Sequence, residues 1–387
     1  MKRIILGGVL ILIAVAAGLF FYVIPVRIDA GRNLVLPHEP YTLSAEAQAL
    51  HATLDVADLH SDMLLWMRDP ARRHDRGHTD LPRLREGRVA FQVFASVTKT
   101  PSSMNYEENS ADSDNITPLA IAQRWPVDTW GSIRNRALYH AGRLNRLAEN
   151  DDAFTVIRTR GDLDAVLAAR QSDPMAMGGL LATEGAHPLE GDLANIEPLW
   201  EAGYRLIGLQ HFFDNELGGS LHGVSGAGLT DFGREAVAAM LERGMIIDVA
   251  HSSPAVVAEV LAMTDRPLVV SHTGIHGHCP VTRNIPDGLM RAIAAEGGLI
   301  GIGFWEDVTC DDSPSGVADT IIAAIDLVGL DHVALGSDYD GTITTTFDAS
   351  EYAVLTDRLL AAGLSEDDVR QVMGGNAIRF FRAQLPE

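Results

Sequence analysis

Met245-Ile-Ile-Asp-Val-Ala-His251 and Pro267-Leu-Val-Val-Ser-His272 are two apolar runs that each end in a histidine. Their nearly continuous apolar content is that of strands buried on both faces. The same form recurs outward from them, in Val56-Ala-Asp-Leu-His60-Ser-Asp62, Leu180-Leu-Ala-Thr-Glu184 and Arg205-Leu-Ile-Gly-Leu-Gln-His211. The full strand set is Val56–Asp62, Val89–Val97, Gly179–Glu184, Arg205–His211, Met245–His251, Pro267–His272, Leu299–Trp305 and His332–Asp338. Helical patterns fall between most of these. Asp231–Arg243, for example, carries Phe232, Ala236, Val237, Met240 and Leu241 on one face. Alternating strands and helices predict a parallel sheet, and eight strands predict closure into an α/β, (β/α)8 TIM-like barrel. Such a barrel places its chemistry at the C-terminal ends of the strands, where these polar residues lie.

The chain has 387 residues, 47% of them hydrophobic, enough for one large core. Its 52 acidic residues against 30 lysines and arginines give a formal charge of −22. That surface repels phosphate backbones, so nucleic acid is not an expected partner. Residues 26–50 read as a linker, with Pro37 and Pro40, and a lead-in helix from about Ser44 to Leu54; residues 51–387 read as the barrel domain. An insertion at 98–150 interrupts the barrel after the second strand, with a polar loop over Thr100–Thr117 and a helix over Trp125–Leu147. A lid and a decorative excursion are both open readings for it. No repeat is evident.

Residues 1–25 form the other distinct region. Ile4 to Ile24 is an uncharged apolar run behind Lys2 and Arg3, long enough to cross a bilayer. The basic tip predicts a cytoplasmic N-terminus and an exported domain, periplasmic or otherwise extracytoplasmic. Ala14-Val15-Ala16 is a competing signal-cleavage site, but the run continues apolar beyond it, which favours an uncleaved anchor. A chain starting after Ile24 is expected to stay soluble and active, because the barrel has its own core. Cys279 and Cys310 follow adjacent strands and could meet in an oxidising compartment; two free thiols are the other reading.

Imidazole and carboxylate are usual zinc ligands. His60 and Asp62, two apart on a strand, share one face and can reach one metal. Asp58 shares their parity and could support the His60 ring from the layer below. Glu184 has two oxygens and can bridge two cations, with His251 and His272 on the second. Two bridged ions would share a water or hydroxide and lower its pKa. His211 could be a ligand or could stabilise oxyanion charge. Asp338, in Gly-Ser-Asp338-Tyr-Asp340-Gly, could pass a proton from water to a leaving amine, or could simply be a turn residue. Arg283 could clamp a carboxylate or be an exposed surface arginine. A lone strand-end histidine is more often a satisfied core residue. The joint pattern on five strands is what points to a metal-dependent hydrolase.

From about residue 50 to 385 the chain resembles the membrane (renal-type) dipeptidases, a family of binuclear zinc peptidases. The matching segments are Asp-Leu-His60-Ser-Asp62, Glu184-Gly-Ala-His-Pro-Leu, Leu-Gln-His211, Gly-Leu-Thr-Asp-Phe-Gly, Ile-Asp-Val-Ala-His251-Ser-Ser, Val-Ser-His272, Arg283-Asn-Ile-Pro-Asp and Gly-Ser-Asp338-Tyr-Asp-Gly. The resemblance implies two Zn2+ ions, one on His60, Asp62 and Glu184 and one on Glu184, His251 and His272. It implies that His211 contacts substrate and steadies the tetrahedral intermediate, that Arg283 receives the terminal carboxylate, and that Asp338 handles the proton. The implied reaction is hydrolysis of dipeptides, L-Xaa-L-Xaa or L-Xaa-D-Xaa, to free amino acids; some members also open carbapenem-type β-lactams. A homodimer is a partner the family suggests. One cysteine pair of the animal members aligns with Cys279 and Cys310, implying a disulfide. Phe213 stands where a second pair would have a half-cystine, and the N-terminal apolar run stands in place of a C-terminal lipid anchor.

Two other classes compete. Deaminases and lactonases of the barrel type commonly bridge their metals with a carboxylated lysine, and no core strand here ends in lysine. A membrane-anchored binding protein with a dead barrel predicts missing ligands, and none is missing.

Overall fold

The structure is a computed structural model that describes residues 2–387, with side chains from Ile5 onward. Eight parallel strands close into a barrel: β1 (Val56–Ser61), β2 (Val89–Val97), β3 (Met177–Glu184), β4 (Tyr204–Gly208), β5 (Ile246–Asp248), β6 (Val269–Thr273), β7 (Leu299–Ile302) and β8 (Val333–Leu335). Neighbours in sequence are neighbours in space, and β8 returns to β1 with Leu335 opposite Asp58. A short strand, Phe154–Val156, borders the start of β3 and was not expected from the sequence. Several strands end earlier than their apolar runs: β4 stops at Gly208, β5 at Asp248 and β8 at Leu335. His211, His251 and Asp338 therefore sit on the turns just beyond the ladder, where the backbone is free to aim them.

The residues that close the helices are those chemistry favours. Ser253 accepts from Val256 N–H ahead of Pro254–Met263, and Thr230 accepts from Gly233 N–H ahead of Asp231–Arg243. That second helix ends at Gly244, whose φ of 92° is costly for any residue with a Cβ. At the barrel mouth, a Cβ on Gly336 or Gly301 would collide with the Ser271 carbonyl, so glycine lets β7 and β8 close against β6. The two layers of core, inside the barrel and between barrel and helices, are both filled by Val, Ile, Leu and Phe.

The insertion holds helices Ile116–Ala122 and Ile133–Asn150. The expected helix over Trp125–Leu147 thus begins later, after a turn at Val127–Thr129. Its loop crosses the barrel mouth, where Asn109 N–H donates to the His222 carbonyl.

A 28-residue helical run, Ile5–Arg32, is long and apolar enough to cross a membrane. It passes through a π-turn at Leu19–Val23 and continues past Pro25 to Arg32, beyond the end expected from composition. The end of this helix and the residues after it pack on the barrel. Asp29 is fully buried against the barrel and accepts from Arg68 Nε at 3.0 Å and Arg76 Nε at 2.9 Å. Arg68 also pairs with Asp340 at 2.8 Å, and Leu34–Val35 pairs in parallel with Thr344–Thr345.

Burial alone would push the Asp340 carboxyl up, but Arg68, His78 and Thr79 outweigh it and hold it well below the usual carboxylate range. Its contribution to stability is therefore present above the unfolded carboxylate pKa of about 4 and is lost as pH falls below it. Replacing Arg68 by Ala leaves Asp29 and Asp340 short of a buried counter-charge. It should cost about 3–5 kcal/mol, read by urea unfolding at pH 7, with a smaller difference from the wild type at pH 3. A variant as stable as the wild type at pH 7 would remove the network from any account of how the N-terminal helix is held.

Candidate metal centre

The polar strand ends converge on one carboxylate. Glu184 Oε1 lies 3.1 Å from His251 Nε2, 3.4 Å from both His272 Nε2 and His211 Nε2, and 3.5 Å from His60 Nε2. His60 Nε2 is in turn 3.6 Å from Asp62 Oδ1 and 3.9 Å from Asp338 Oδ1. The pleat explains the first pair: His60 and Asp62 share a face, while Ser61 turns away to Thr79 Oγ1 at 3.2 Å. Arg283 closes the ring of residues, its Nη2 at 3.5 Å from His251 Nε2. All eight sequence-predicted site residues, Arg283 and Asp338 included, meet at one cavity of about 750 Å³ or directly behind it.

The donor chemistry fits divalent metal. His60 Nε2, Asp62 Oδ1 and Glu184 Oε2 are buried with no hydrogen-bond partner, an arrangement that is costly unless something cationic satisfies it. His60, Asp62 and Glu184 form one group of mutually close donors; Glu184, His211 and His251 form another, and His60, His272 and Asp338 a third. The distances bring all these donors together without dividing them between two ions. His211 lies within the donor set as closely as the histidines expected to ligate.

The metal-free charges of the cluster are unbalanced. Burial pushes the Glu184 carboxyl up to about 7, and the neighbouring Asp62 adds to it. Burial likewise raises Asp338, helped by Asp62 and Glu184 and opposed by His60. Burial holds His211, His251 and His272 well below the usual imidazole range, leaving them neutral with a lone pair to offer. Bound cations would reverse the carboxylate shifts, since they stabilise the ionised forms.

Two buried aspartates hold this ring in place. Asp248 accepts from Ser271 Oγ at 2.6 Å and from the Ser271 and Ala250 N–H groups at 3.0 Å. Ser271 Oγ also lies 3.3 Å from His60 Nδ1 and 2.9 Å from His272 Nδ1. With its proton given to Asp248 Oδ2, that hydroxyl has only lone pairs for the two imidazoles. Both rings then carry their proton on Nδ1 and aim a bare Nε2 at the cluster. The support for the His60 ring thus comes from Ser271 and Asp248, not from Asp58 as its parity suggested. Asp58 instead accepts from Ser337 N–H at 2.8 Å, Ser337 Oγ at 2.7 Å and Tyr352 Oη at 2.9 Å. It thereby fixes the turn in which Asp338 adopts a left-handed φ of 61°. Asp338 is both a turn residue and a member of the cluster; aspartate tolerates this conformation better than most residues.

Arg283 is buried, not exposed. Its Nη1 donates to the Ala250 carbonyl at 3.1 Å and its Nη2 to the His272 carbonyl at 2.8 Å. It makes no ion pair among the described residues. Asn284 positions it by accepting from Gly274 N–H and donating to the Cys279 and Val308 carbonyls. The Cys279–Cys310 disulfide ties the same loop to the segment after β7. Phe213 stacks flat on His187, centroids 4.7 Å apart, securing the loop after His211 by packing.

Sequence reasoning missed several contributors. Tyr106 of the insertion accepts from Trp305 Nε1 through its hydroxyl at 2.9 Å, beside Arg283, and its carbonyl lies 2.8 Å from His222 Nδ1. The insertion is therefore a wall of the cavity, with Met104, Tyr106, Ile116 and Leu119 among its lining. Nothing in the polar Thr100–Thr117 loop marks Tyr106. Asp248 was visible as a carboxylate inside an apolar strand, a signal that could have been used.

Ser271→Ala should lower zinc affinity about 10–100-fold, measured by competition with a chromophoric chelator, because both imidazoles lose the acceptor that sets their tautomer. Unchanged affinity would mean that the rings are oriented by other contacts.

Comparison with known proteins agrees with this geometry. Residues 44–385 match the model of the membrane dipeptidase family, peptidase family M19. The dipeptidase aclJ of Aspergillus oryzae is 29% identical over 361 residues, covering 84% of this chain and 76% of its own length. The crystal structure of a metallopeptidase of that family, dipeptidase AC, superposes with a TM-score of 0.68 at 25% identity, covering 87% of this chain and 100% of its own. A metallopeptidase from Rhodobacter sphaeroides, solved with a phosphinate mimic of L-Ala-D-Ala, shares the fold with a TM-score of 0.66 at 24% identity, covering 86% and 99%. The barrel, the clustered donors and the match over nearly the whole chain after residue 44 place it in one family: the chain belongs to the membrane dipeptidases of peptidase family M19.

Proposed function

We propose that this chain is a zinc-dependent exopeptidase that hydrolyses dipeptides, L-Xaa-L-Xaa and L-Xaa-D-Xaa, to free amino acids. The observation that carries the reading is Arg283, a buried guanidinium facing the metal-donor cluster with no carboxylate partner among the described residues. A buried charge calls for a counter-ion, and the terminal carboxylate of a dipeptide supplies one a short distance from its scissile bond. His60, Asp62 and Glu184 would hold one zinc ion, and Glu184, His251 and His272 the other. Zinc held there would supply Lewis-acid polarisation of the scissile carbonyl and lower the pKa of a bound water toward neutral pH.

The protein groups do the rest. Arg283 orients the substrate by a bidentate, charge-assisted contact. His211, neutral in its dry setting, donates to the oxygen that gains charge as the carbonyl becomes tetrahedral. Asp338 accepts the proton of the attacking water at a carboxylate oxygen and returns it to the leaving amine nitrogen. We read the N-terminal helix as an uncleaved anchor with the catalytic domain exported; the Cys279–Cys310 disulfide fits that oxidising side.

A panel of dipeptides, assayed with metal-loaded protein, tests the reading. Glu184→Gln keeps the shape but removes the charge shared by the two ions. It should lose at least one zinc by metal analysis and nearly all turnover; two zincs with full activity would end the bridging role. A dipeptide amide has the right length but no anion for Arg283. The wild type should prefer the parent dipeptide about a hundredfold in kcat/KM, and that preference should collapse in Arg283→Ala. Equal cleavage of amide and dipeptide by the wild type would remove the exopeptidase assignment.

A further inference from the structure

The N-terminal helix does more than leave the barrel. Phe20, Ile24, Arg27, Ile28, Gly31 and Arg32 follow one helical face, and all six line the cavity that contains Asp62, Glu184 and Arg283. The opposite face is docked: Pro25 and Asp29 are buried, and Asp29 is held by Arg68 and Arg76. Arg124 of the insertion donates to the Phe21 carbonyl at 3.1 Å and lies over the Tyr22 ring at 4.1 Å. The cavity-facing side chains are thus held in position, yet their apolar surface is uncovered. Phe20, Ile24 and Ile28 are 38%, 42% and 41% exposed.

The cavity has two chemically distinct ends. At one, Arg283 sits beside Trp305 and Tyr106. At the other, Asp62 leads into the turn Met63–Leu65, whose Leu65, with Trp66, packs with Ile116 and Trp125. The N-terminal helix rests on that same Ile116–Ala122 helix. Glu184 lines the same cavity as both. A dipeptide with its carboxylate on Arg283 and its scissile bond beside Glu184 leaves the rest of the cavity, which Asp62, Leu65 and the helix line, to its first residue. The cavity volume of about 750 Å³ is toward the large end of the range that encloses drug-sized ligands, more room than two small residues fill.

Resting on the dipeptidase reading above, we propose that Phe20, Ile24 and Ile28 form the subsite for the N-terminal side chain of the substrate and select large apolar residues there. The N-terminal helix is then a specificity element of the active site, and a fragment that begins after it loses one wall of the cleft.

The test uses the full chain in nanodiscs, loaded with zinc, and two substrates that differ only in the first residue, Leu-Ala and Gly-Ala. The wild type should favour Leu-Ala in kcat/KM by about tenfold or more, as a buried aliphatic side chain does in an apolar pocket. The triple variant Phe20→Ala, Ile24→Ala, Ile28→Ala should bring that ratio close to one, with the change in KM for Leu-Ala. Leucine at positions 24 and 28 should restore it. Val23→Ala, on a face that does not line the cavity, should keep the wild-type ratio and controls for loosening of the helix. An unchanged ratio in the triple variant would overturn the subsite. A preference present in nanodiscs but absent from the full chain in detergent micelles would assign the wall to lipid and overturn it equally. Failure of the wild type to cleave either dipeptide would instead overturn the dipeptidase reading, and the subsite with it.

Discussion

One carboxylate oxygen, Glu184 Oε1, lies within 3.5 Å of four imidazole nitrogens delivered by four different strands. No apolar core has use for that arrangement. Bringing Glu184 and four histidines out of water, with Asp62 and Asp338 beside them, costs free energy that hydrogen bonds within the cluster do not return. The unpartnered atoms His60 Nε2, Asp62 Oδ1 and Glu184 Oε2 show where the return is missing. A cation-dependent site explains the cost: the ligands are held bare and close so that metal, on binding, restores the balance. The folded state of such a protein is coupled to its metal, as binding energy offsets what the empty cluster lacks.

Holding like groups together requires rigid supports, and the barrel provides them in matched form. Asp58 at the β1–β8 seam fixes the turn carrying Asp338, and Asp248 at the β5–β6 seam fixes Ser271 and, through it, two imidazoles. Each aspartate is itself satisfied by backbone N–H and hydroxyl donors, so its charge is spread before it reaches the cluster. Glycine at 301 and 336 lets the strands approach closely enough for these bonds to form. The site therefore depends on backbone packing one layer below it as much as on the residues that face the cavity.

The parts of this design that were legible in the sequence are those that break a pattern. A histidine or acid ending an apolar run is conspicuous, and five such endings, on β1 and β3 to β6, placed His60, Asp62, Glu184, His211, His251 and His272 on one rim. The closed barrel followed from the count and spacing of the runs. Strand ends were overrun by up to three residues, because apolar content continues into turns whose backbone leaves the ladder, as at Val249–His251. Parity along β1 suggested Asp58 as the partner of His60, but parity gives only the face, and Ser271 reaches the ring from β6, past β8 and β7. Arg283 looked like a loop arginine because burial by distant segments leaves no local mark. Tyr106 and Asp29 were illegible for the same reason: each acts through contacts with residues far away in sequence, from segments without periodicity or with a composition already explained.

The N-terminal run shows how a sufficient explanation hides a second one. Apolar length accounts for a membrane span, so no further role is demanded of it. Yet Lys2–Leu19 already rises about 27 Å at 1.5 Å per residue, close to a bilayer core of about 30 Å, and from Phe20 onward the helix lines the cavity or meets the insertion. The nine residues of Ile24–Arg32 are surplus to crossing, and they carry Asp29, the buried clamp to Arg68 and Arg76. Surplus helix that is merely a spacer would be polar and free. This stretch is ion-paired into the barrel on one face and lines the cavity on the other with Ile24 and Ile28, Arg27 and Arg32 beside them. With the first part of the helix in a bilayer, the clamp leaves no slack for the barrel to swing away, and the cleft opens beside the membrane surface. On the two proposals above, anchor and cleft wall would be one rigid element, and a substrate would pass along it to reach the donor cluster.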